Sequence, residues 1–230
     1  MADVPTLDFS LVLAATVHDM KNSLGMLLGS IEETVDQFPP ETQQQAQHYA
    51  LLHYEASRVN NDLIQLLGLY RLDQNQLLLQ IEEHFVMDLL EEQTLRNKIL
   101  FDARNISLEV DCPPHLSWYY DRDLVACVIN NVLVNTLRYT NDQIKITAQA
   151  THELTIEIAD NGPGYPDHML IDPLHYHSQK SINTHTGSTH LGLYFSQRIA
   201  QLHTQEKNTG YIQLENNSEL GGGVFKLVLP

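Results

Sequence analysis

Much of what marks the commoner functional classes is scarce in this chain of 230 residues. Cys112 and Cys127 are its only cysteines, too far apart for a paired zinc or redox site, so a structural disulfide is not expected and a reducing compartment is. Positive charge is thin: 13 lysines and arginines stand against 29 acids, for a formal charge of -16, and no window gathers a basic patch. Phosphate backbones and anionic lipid surfaces are repelled by such a chain, which excludes nucleic acid and membrane as expected partners. Long apolar runs are missing too. The most apolar N-terminal stretch, Phe9 to Val17, is too short to span a bilayer and has neither a basic leader nor a small-residue cleavage site, so the reading is cytoplasmic. What remains, at 43% hydrophobic content, is enough to build a folded core.

The apolar residues fall into two regimes. Leu13, Val17, Met20, Leu24, Leu27, Ile31, Val35 and Phe38 recur at steps of three and four, the stripe of an amphipathic helix, and "FPPE" from Phe38 stops it. A second stripe, Tyr49, Leu52, Ala56, Val59, Leu63, Leu66 and Tyr70, alternates three and four like a coiled-coil seam. Two helices of about 45 Å joined by a short turn bury only one face each, so dimerisation into a four-helix bundle is expected. From about Gln76 the runs "ISLEV", "QIKITAQA", "LTIEIAD", "YIQLEN" and "VFKLVLP" alternate with helical stretches near Met87 to Ala103, Asp121 to Tyr139 and Leu191 to His203. This predicts an α+β fold: an antiparallel helical hairpin over residues 1–74, then an α/β sandwich with helices on one face of a mixed sheet over 75–230. Pro166 to Thr189, rich in His, Ser, Thr and Asn, reads as a long mobile loop, of a length that is usually functional or disordered.

Several stretches carry residues suited to chemistry. "TVHDMKNSLG" sets His18 beside Asp19, with Asn22 one helical turn on. "VINNVLVNTLRYT" places Asn131 and Asn135 one turn apart, followed by Arg138 and Tyr139; alone, these fit a solvated helix face equally well. "IADNGPGY" ends a strand in Asp160, with Gly162 and Gly164 spaced for a close backbone approach or simply a tight turn. In "GSTHLGLYFSQRIA", Gly187, His190 and Gly192 precede or open a helix whose first amides face either phosphate or their own cap.

In this order and spacing the motifs resemble those of the sensor histidine kinases: a phosphoacceptor box ("HDMKNSL"), an asparagine box, two glycine boxes flanking a lid, and a C-terminal "G-x-F-x-L-x-L-P" strand. The resemblance implies roles. Asp160 would accept a hydrogen bond from the adenine amine, and Gly162 and Gly164 would let backbone pass beside the base. Asn135 would offer oxygen to Mg²⁺ bound with ATP, with Asn131 alongside, Arg138 facing phosphate and Tyr139 covering the nucleotide. Asn131 also stands where hydrolytic ATPases of this fold carry a water-activating glutamate, so hydrolysis is not the evident purpose. His18 would be the nucleophile, with Asp19 holding its second nitrogen, and Asn22 would orient water toward a phosphoaspartate.

The chain departs from the family pattern in two places. The lid element around Asp172, Pro173 and Leu174 is degenerate, and His190 occupies a position usually glycine, where a ring is expected to weaken nucleotide binding by crowding the phosphates, the alternative being an imidazolium that hydrogen-bonds phosphate. The expected function is a dimeric kinase that moves phosphate from MgATP to His18 and on to a response-regulator receiver domain. Because the hairpin pattern begins almost at Met1 and the last strand ends at Pro230, input from a separate sensor protein is expected. The alternative is a phosphotransfer or adaptor protein that keeps the fold without ATP turnover.

Overall fold

A computed structural model describes residues 9–74, 77–171 and 191–230, with side chains described for 15–74, 77–170 and 191–230. The chain divides into two compact units, Met1–Leu78 and Leu79–Pro230.

The first unit is a helical hairpin of α1 (Phe9–Gln37) and α2 (Gln43–Asp73). Pro39 and Pro40 cannot continue a helix, and Thr42 restarts one: its hydroxyl accepts the Gln45 amide at 3.2 Å as an N-cap. The interior of the hairpin is more polar than the stripes predict. Val17, Ala50, Tyr54, Ala56 and Leu67 are buried, but so are His53, Asn60, Asn61 and Gln65. His53 Nε2 meets Glu32 Oε1 across the hairpin at 3.1 Å, and its Nδ1 lies 3.4 Å from Ser57 Oγ. The seam residues Leu52, Val59 and Leu66 instead remain 58%, 43% and 40% exposed, as do Met20 and Leu27 on α1 at about half. One helix covers only one side of its neighbour, and the heptad-spaced apolar edge of α2 faces away from α1.

The second unit contains a five-stranded sheet in the order β2 (Ser107–Asp111), β4 (Gln143–Ala150), β5 (Leu154–Asp160), β9 (Gly223–Leu229), β8 (Tyr211–Asn216). The β2–β4 pair is parallel and the others antiparallel, so the sheet is mixed. Alternation along β4 and β5 turns Ile144, Ile146, Ala148, Leu154, Ile156 and Ile158 inward. There they meet α5 (Arg122–Tyr139) and α7 (Leu191–Leu202), whose apolar faces include Val125, Ile129, Leu133, Phe195 and Ile199. The outer face carries charge, with Lys226 held between Glu157 at 3.2 Å and Glu215 at 3.0 Å.

Several smaller elements depart from the expected pattern. The helix expected from Met87 to Ala103 is two, α3 (Val86–Arg96) and α4 (Lys98–Ala103). Asn97 interrupts it by donating its buried amide to Gln93 O and Asn130 Oδ1, both at 2.9 Å. A separate antiparallel ribbon of β1 (Ile81–Phe85) and β3 (Ser117–Asp121) was not signalled, because "IEEHF" and "SWYYD" lack the alternation of a half-buried strand. The expected loop after Pro166 starts with a short helix, α6 (Asp167–Ile171), and β6 (Thr204–Gln205) and β7 (Asn208–Thr209) form a small hairpin after α7.

Candidate nucleotide and phosphoacceptor sites

On α1, burial of Val17 at 5% exposure leaves its neighbour His18 in the open, with the side chain 55% exposed. Two groups approach the same ring nitrogen. Asp19 Oδ1 lies 3.6 Å from His18 Nδ1, and Asn22 Nδ2, one turn along, lies 3.3 Å from it. Among the described residues Nε2 has no polar contact, so one nitrogen is held and the other faces solvent. The structure therefore brings together His18, Asp19 and Asn22.

In the second unit three elements converge. Helix α5 starts at Asp121, whose Oδ1 caps it by accepting the Leu124 amide at 3.0 Å while Oδ2 accepts the Gln80 amide at 2.9 Å. The Asp121 N–H donates to His203 Nε2 at 3.0 Å, and His203 Nδ1 donates to Ile199 O at 2.9 Å, so this buried ring is a neutral tautomer. Burial pushes its pKa below the ordinary histidine value. The capped, anchored helix sets the rotation of the asparagines. Asn131 is buried and Asn135 exposed, and the Asn135 amide donates to Asn131 Oδ1 at 3.2 Å. That leaves Asn135 Oδ1 without a partner among the described residues, an oxygen suited to a hard cation. Farther along, the Arg138 guanidinium sits 5.5 Å from the centre of the Tyr139 ring, both exposed.

Gly192, in the first turn of α7, faces Asn131: a Cβ there would lie 2.7 Å from both amide atoms. Backbone closeness, not flexibility, is what this glycine supplies. Gly187 and His190 lie outside the described residues, as do Asp172, Pro173 and Leu174.

At the end of β5, Asp160 is 8% exposed. Its Oδ1 accepts the Gly162 amide at 2.6 Å, and its backbone carbonyl accepts from Ser218 Oγ at 3.0 Å and Gly222 N at 3.1 Å. Burial raises the carboxyl pKa, opposed by the Gly162 and Gly223 amides. Gly162 passes so close to the end of α5 that a Cβ would clash with Tyr139 O, and Gly164 has φ +78°, the left-handed region. The turn thus lies against the helix that carries the asparagines, and Tyr139, Asp160, Gly162 and Gly164 share one corner of the fold.

Two further residues hold this corner. Asn161 Oδ1 receives Thr140 Oγ1 and the amides of Asn141, Asp142 and Gln143 at 3.0 to 3.2 Å, binding the loop after α5 to the Asp160 turn. Asn216, ending β8, accepts the Tyr165 amide at 2.7 Å and returns a hydrogen bond to Tyr165 O at 2.8 Å. The half-buried Tyr165 ring lies beside Gly223, and desolvation of its phenol with the nearby Asp160 charge raises its pKa. The signal for Asn161 lay inside "ADNG"; nothing marked Asn216 among the polar residues of its strand end.

No helix among the described residues is long and apolar enough to cross a membrane, and none of their His, Cys, Asp and Glu side chains gathers in threes as a metal site.

Known proteins resemble this chain in sequence and in fold. Residues 120–230 match the family described as histidine kinase-, DNA gyrase B-, and HSP90-like ATPase. The sensor protein SrrB of Staphylococcus aureus is 26% identical over 224 residues, covering 95% of this chain and 37% of the relative. The signal transduction histidine-protein kinase BaeS of Escherichia coli is 28% identical over 226 residues, 95% of this chain and 46% of the relative. The chain therefore spans less than half the length of these relatives. Among solved structures, full-length ShkA in complex with AMPPNP shares the fold with TM-score 0.62 at 19% identity, covering 95% of this chain and 45% of that one.

Proposed function

We propose, on the premise that this chain is a histidine kinase catalytic core, that it phosphorylates His18 from MgATP and passes the phosphoryl group to an aspartate of a response-regulator receiver domain. The observation that carries the reading is the ring of His18, held at Nδ1 by its own helix with Nε2 open. A neutral imidazole nitrogen attacks the γ-phosphorus, the bond to the ADP oxygen breaks, and the positive charge that develops on the ring is stabilised by the Asp19 carboxylate, which then takes the Nδ1 proton. Asp160 reads the adenine amine, Asn135 offers its oxygen to Mg²⁺ with Asn131 behind it, and Arg138 faces phosphate. Mg²⁺ would supply charge neutralisation at the phosphates. Gly162, Gly164, Gly187 and Gly192 keep backbone close to the nucleotide, Tyr139 covers it, and His190 crowds it.

In this reading the chain is a homodimer, supported by the heptad-spaced exposed residues Leu52, Val59 and Leu66. It works in the cytoplasm and takes its input from a separate protein. Residues 1–74 form the dimerisation and phosphoacceptor domain, and 75–230 bind ATP. Asn22 orients water for dephosphorylation of the receiver.

The test is incubation with γ-labelled ATP, with and without a receiver domain. Acid-labile label is expected on the wild type, none on His18→Gln, and a much higher ATP requirement for Asp160→Asn. Label persisting on His18→Gln would reject the site, and nucleotide binding without any label would favour the adaptor reading.

A further inference from the structure

The two residues that flank α4 both reach α5. Asn97, 2% exposed, spends its amide hydrogens on Gln93 O and Asn130 Oδ1, both at 2.9 Å. Arg104, at the other end of α4, donates from Nη1 to Leu137 O. That carbonyl stands in the last turn of α5, where helix continuation would pair it with the Asn141 amide; Asn141 N instead donates to Asn161 Oδ1 at 3.2 Å. The guanidinium therefore caps α5 and sets positive charge at the negative end of its dipole. The step between anchors is seven residues on both sides, 97 to 104 and 130 to 137. At about 1.5 Å per residue the two anchors on α5 stand about 10 Å apart. With 3.6 residues per turn, Asn130 and Leu137 lie within about 20° of each other around α5, and Asn131, Asn135 and Arg138 form a stripe about 80° to 140° to one side. Along the axis the anchors bracket Asn131 and Asn135, while around it they lie on a different face.

We propose that α4 is a splint for α5: Asn97 and Arg104 are positioning residues that fix the rotation of the helix and so aim Asn131 and Asn135. The need for such a device is geometric. Mg²⁺ demands near-ideal oxygen geometry at about 2.0–2.1 Å. A turn of α5 by about 10° carries an atom at the outer helix radius of about 5.5 Å through about 1 Å, and a misplacement of that size can cost a reaction about a hundredfold. Asn131 already lies against Gly192, where a Cβ would stand 2.7 Å from both amide atoms, so rotation in one sense presses the amide onto α7. The Asp121 cap holds α5 only at its first turn. Two bonds set apart along the axis hold it where the asparagines are, against both tilt and rotation. The proposal rests on the nucleotide reading of this site, but the aim of the two amides is a property of the protein without nucleotide.

The experiment uses Asn97→Ala, Arg104→Ala and Arg104→Lys in the full chain. Arg104 is exposed, so its variants keep the fold even where Asn97→Ala does not. Calorimetric titration with ATP is run once with Mg²⁺ and once with EDTA. Affinity for MgATP is expected to fall about tenfold in both alanine variants, the size of one net hydrogen bond. Affinity for metal-free ATP is expected to stay within about twofold, because Asp160 is held by Ser218 and Gly222 and not by α4. Arg104→Lys, which keeps a donor for Leu137 O, is expected to recover most of the loss. In parallel, ¹H–¹⁵N spectra of the nucleotide-free protein follow the side-chain amides of Asn131 and Asn135, assigned by their loss in Asn131→Asp and Asn135→Asp. Both alanine variants are expected to shift these signals, and Arg104→Lys to return them. Equal loss of affinity with and without Mg²⁺, unchanged MgATP affinity, or side-chain amides that stay in place overturns the proposal and leaves α4 as packing alone. If the amides shift as expected but the wild type binds no MgATP, the splint stands and the nucleotide reading falls.

Discussion

Gly192 and Asn131 are in contact through a gap that admits only hydrogen: a Cβ on the glycine would meet both Oδ1 and Nδ2 of the asparagine at 2.7 Å. The asparagine has little room to retreat, because it is 5% exposed and its oxygen receives the Asn135 amide. Gly192→Ala is therefore expected to turn the Asn131 amide and disturb Asn135 with it. MgATP affinity should fall about tenfold, the usual scale of overpacking, while circular dichroism stays native. Titration calorimetry on the variant checks this, and unchanged affinity would separate the asparagine pair from nucleotide binding.

With Asp160 as the proposed adenine ligand, nucleotide binding is expected to depend on pH. Asp160 accepts most strongly from an amine when ionised, and burial raises its pKa above the ordinary aspartate value. MgATP affinity should consequently decline as pH falls, with a midpoint above that value. Stability without nucleotide moves the other way: a carboxyl whose folded pKa is raised contributes most below its unfolded pKa, and that contribution is lost as pH rises through the folded one. Asp160→Asn should weaken binding about 10- to 100-fold at neutral pH and remove this part of the pH dependence of both binding and melting temperature.

His203 gives the opposite stability slope. Its buried neutral ring accepts from Asp121 N–H and donates to Ile199 O, and its folded pKa is lowered, first by burial. Its contribution is present in full above the unfolded value of about 6.5 and is lost as pH falls through the folded one. Urea midpoints at pH 7.5 and 5.5 should show a loss in the wild type that is reduced in His203→Gln. Equal losses would assign the acid sensitivity elsewhere.

The exposed edge of α2 predicts an association state. Val59→Glu combined with Leu66→Glu places like charges along the heptad line and should convert a species of twice 26.2 kDa to one of 26.2 kDa in sedimentation analysis. Helicity should persist, because both side chains already face solvent within the hairpin.

Most of the scaffold was legible because its patterns are local. The runs at 143–150 and 154–160 coincide with β4 and β5, and the helix expected from Asp121 begins one residue later because Asp121 is its cap. Asp160, Gly162 and Gly192 stood out because their spacing resembles that of the sensor histidine kinases. The polar hairpin interior did not, since periodicity reports which residues are apolar and not which neighbour covers them: His53 and Gln65 are buried while Leu52 and Leu66 are not. Asn216 was illegible for another reason. Its partner Tyr165 lies 51 residues away, and one amide matching a distant peptide group leaves no periodic trace.

The position of β9 constrains how the protein is made. A ribosome that has translated through Asn216 has produced β5 and β8 but not the strand that lies between them. Until Gly223–Leu229 emerges, two strands present open edges, and the Asp160 carbonyl lacks the Gly222 amide that completes its turn. The corner around Asp160 is thus completed only once Gly222 and β9 have been made, and loss of β9 would remove the middle of the sheet rather than its margin.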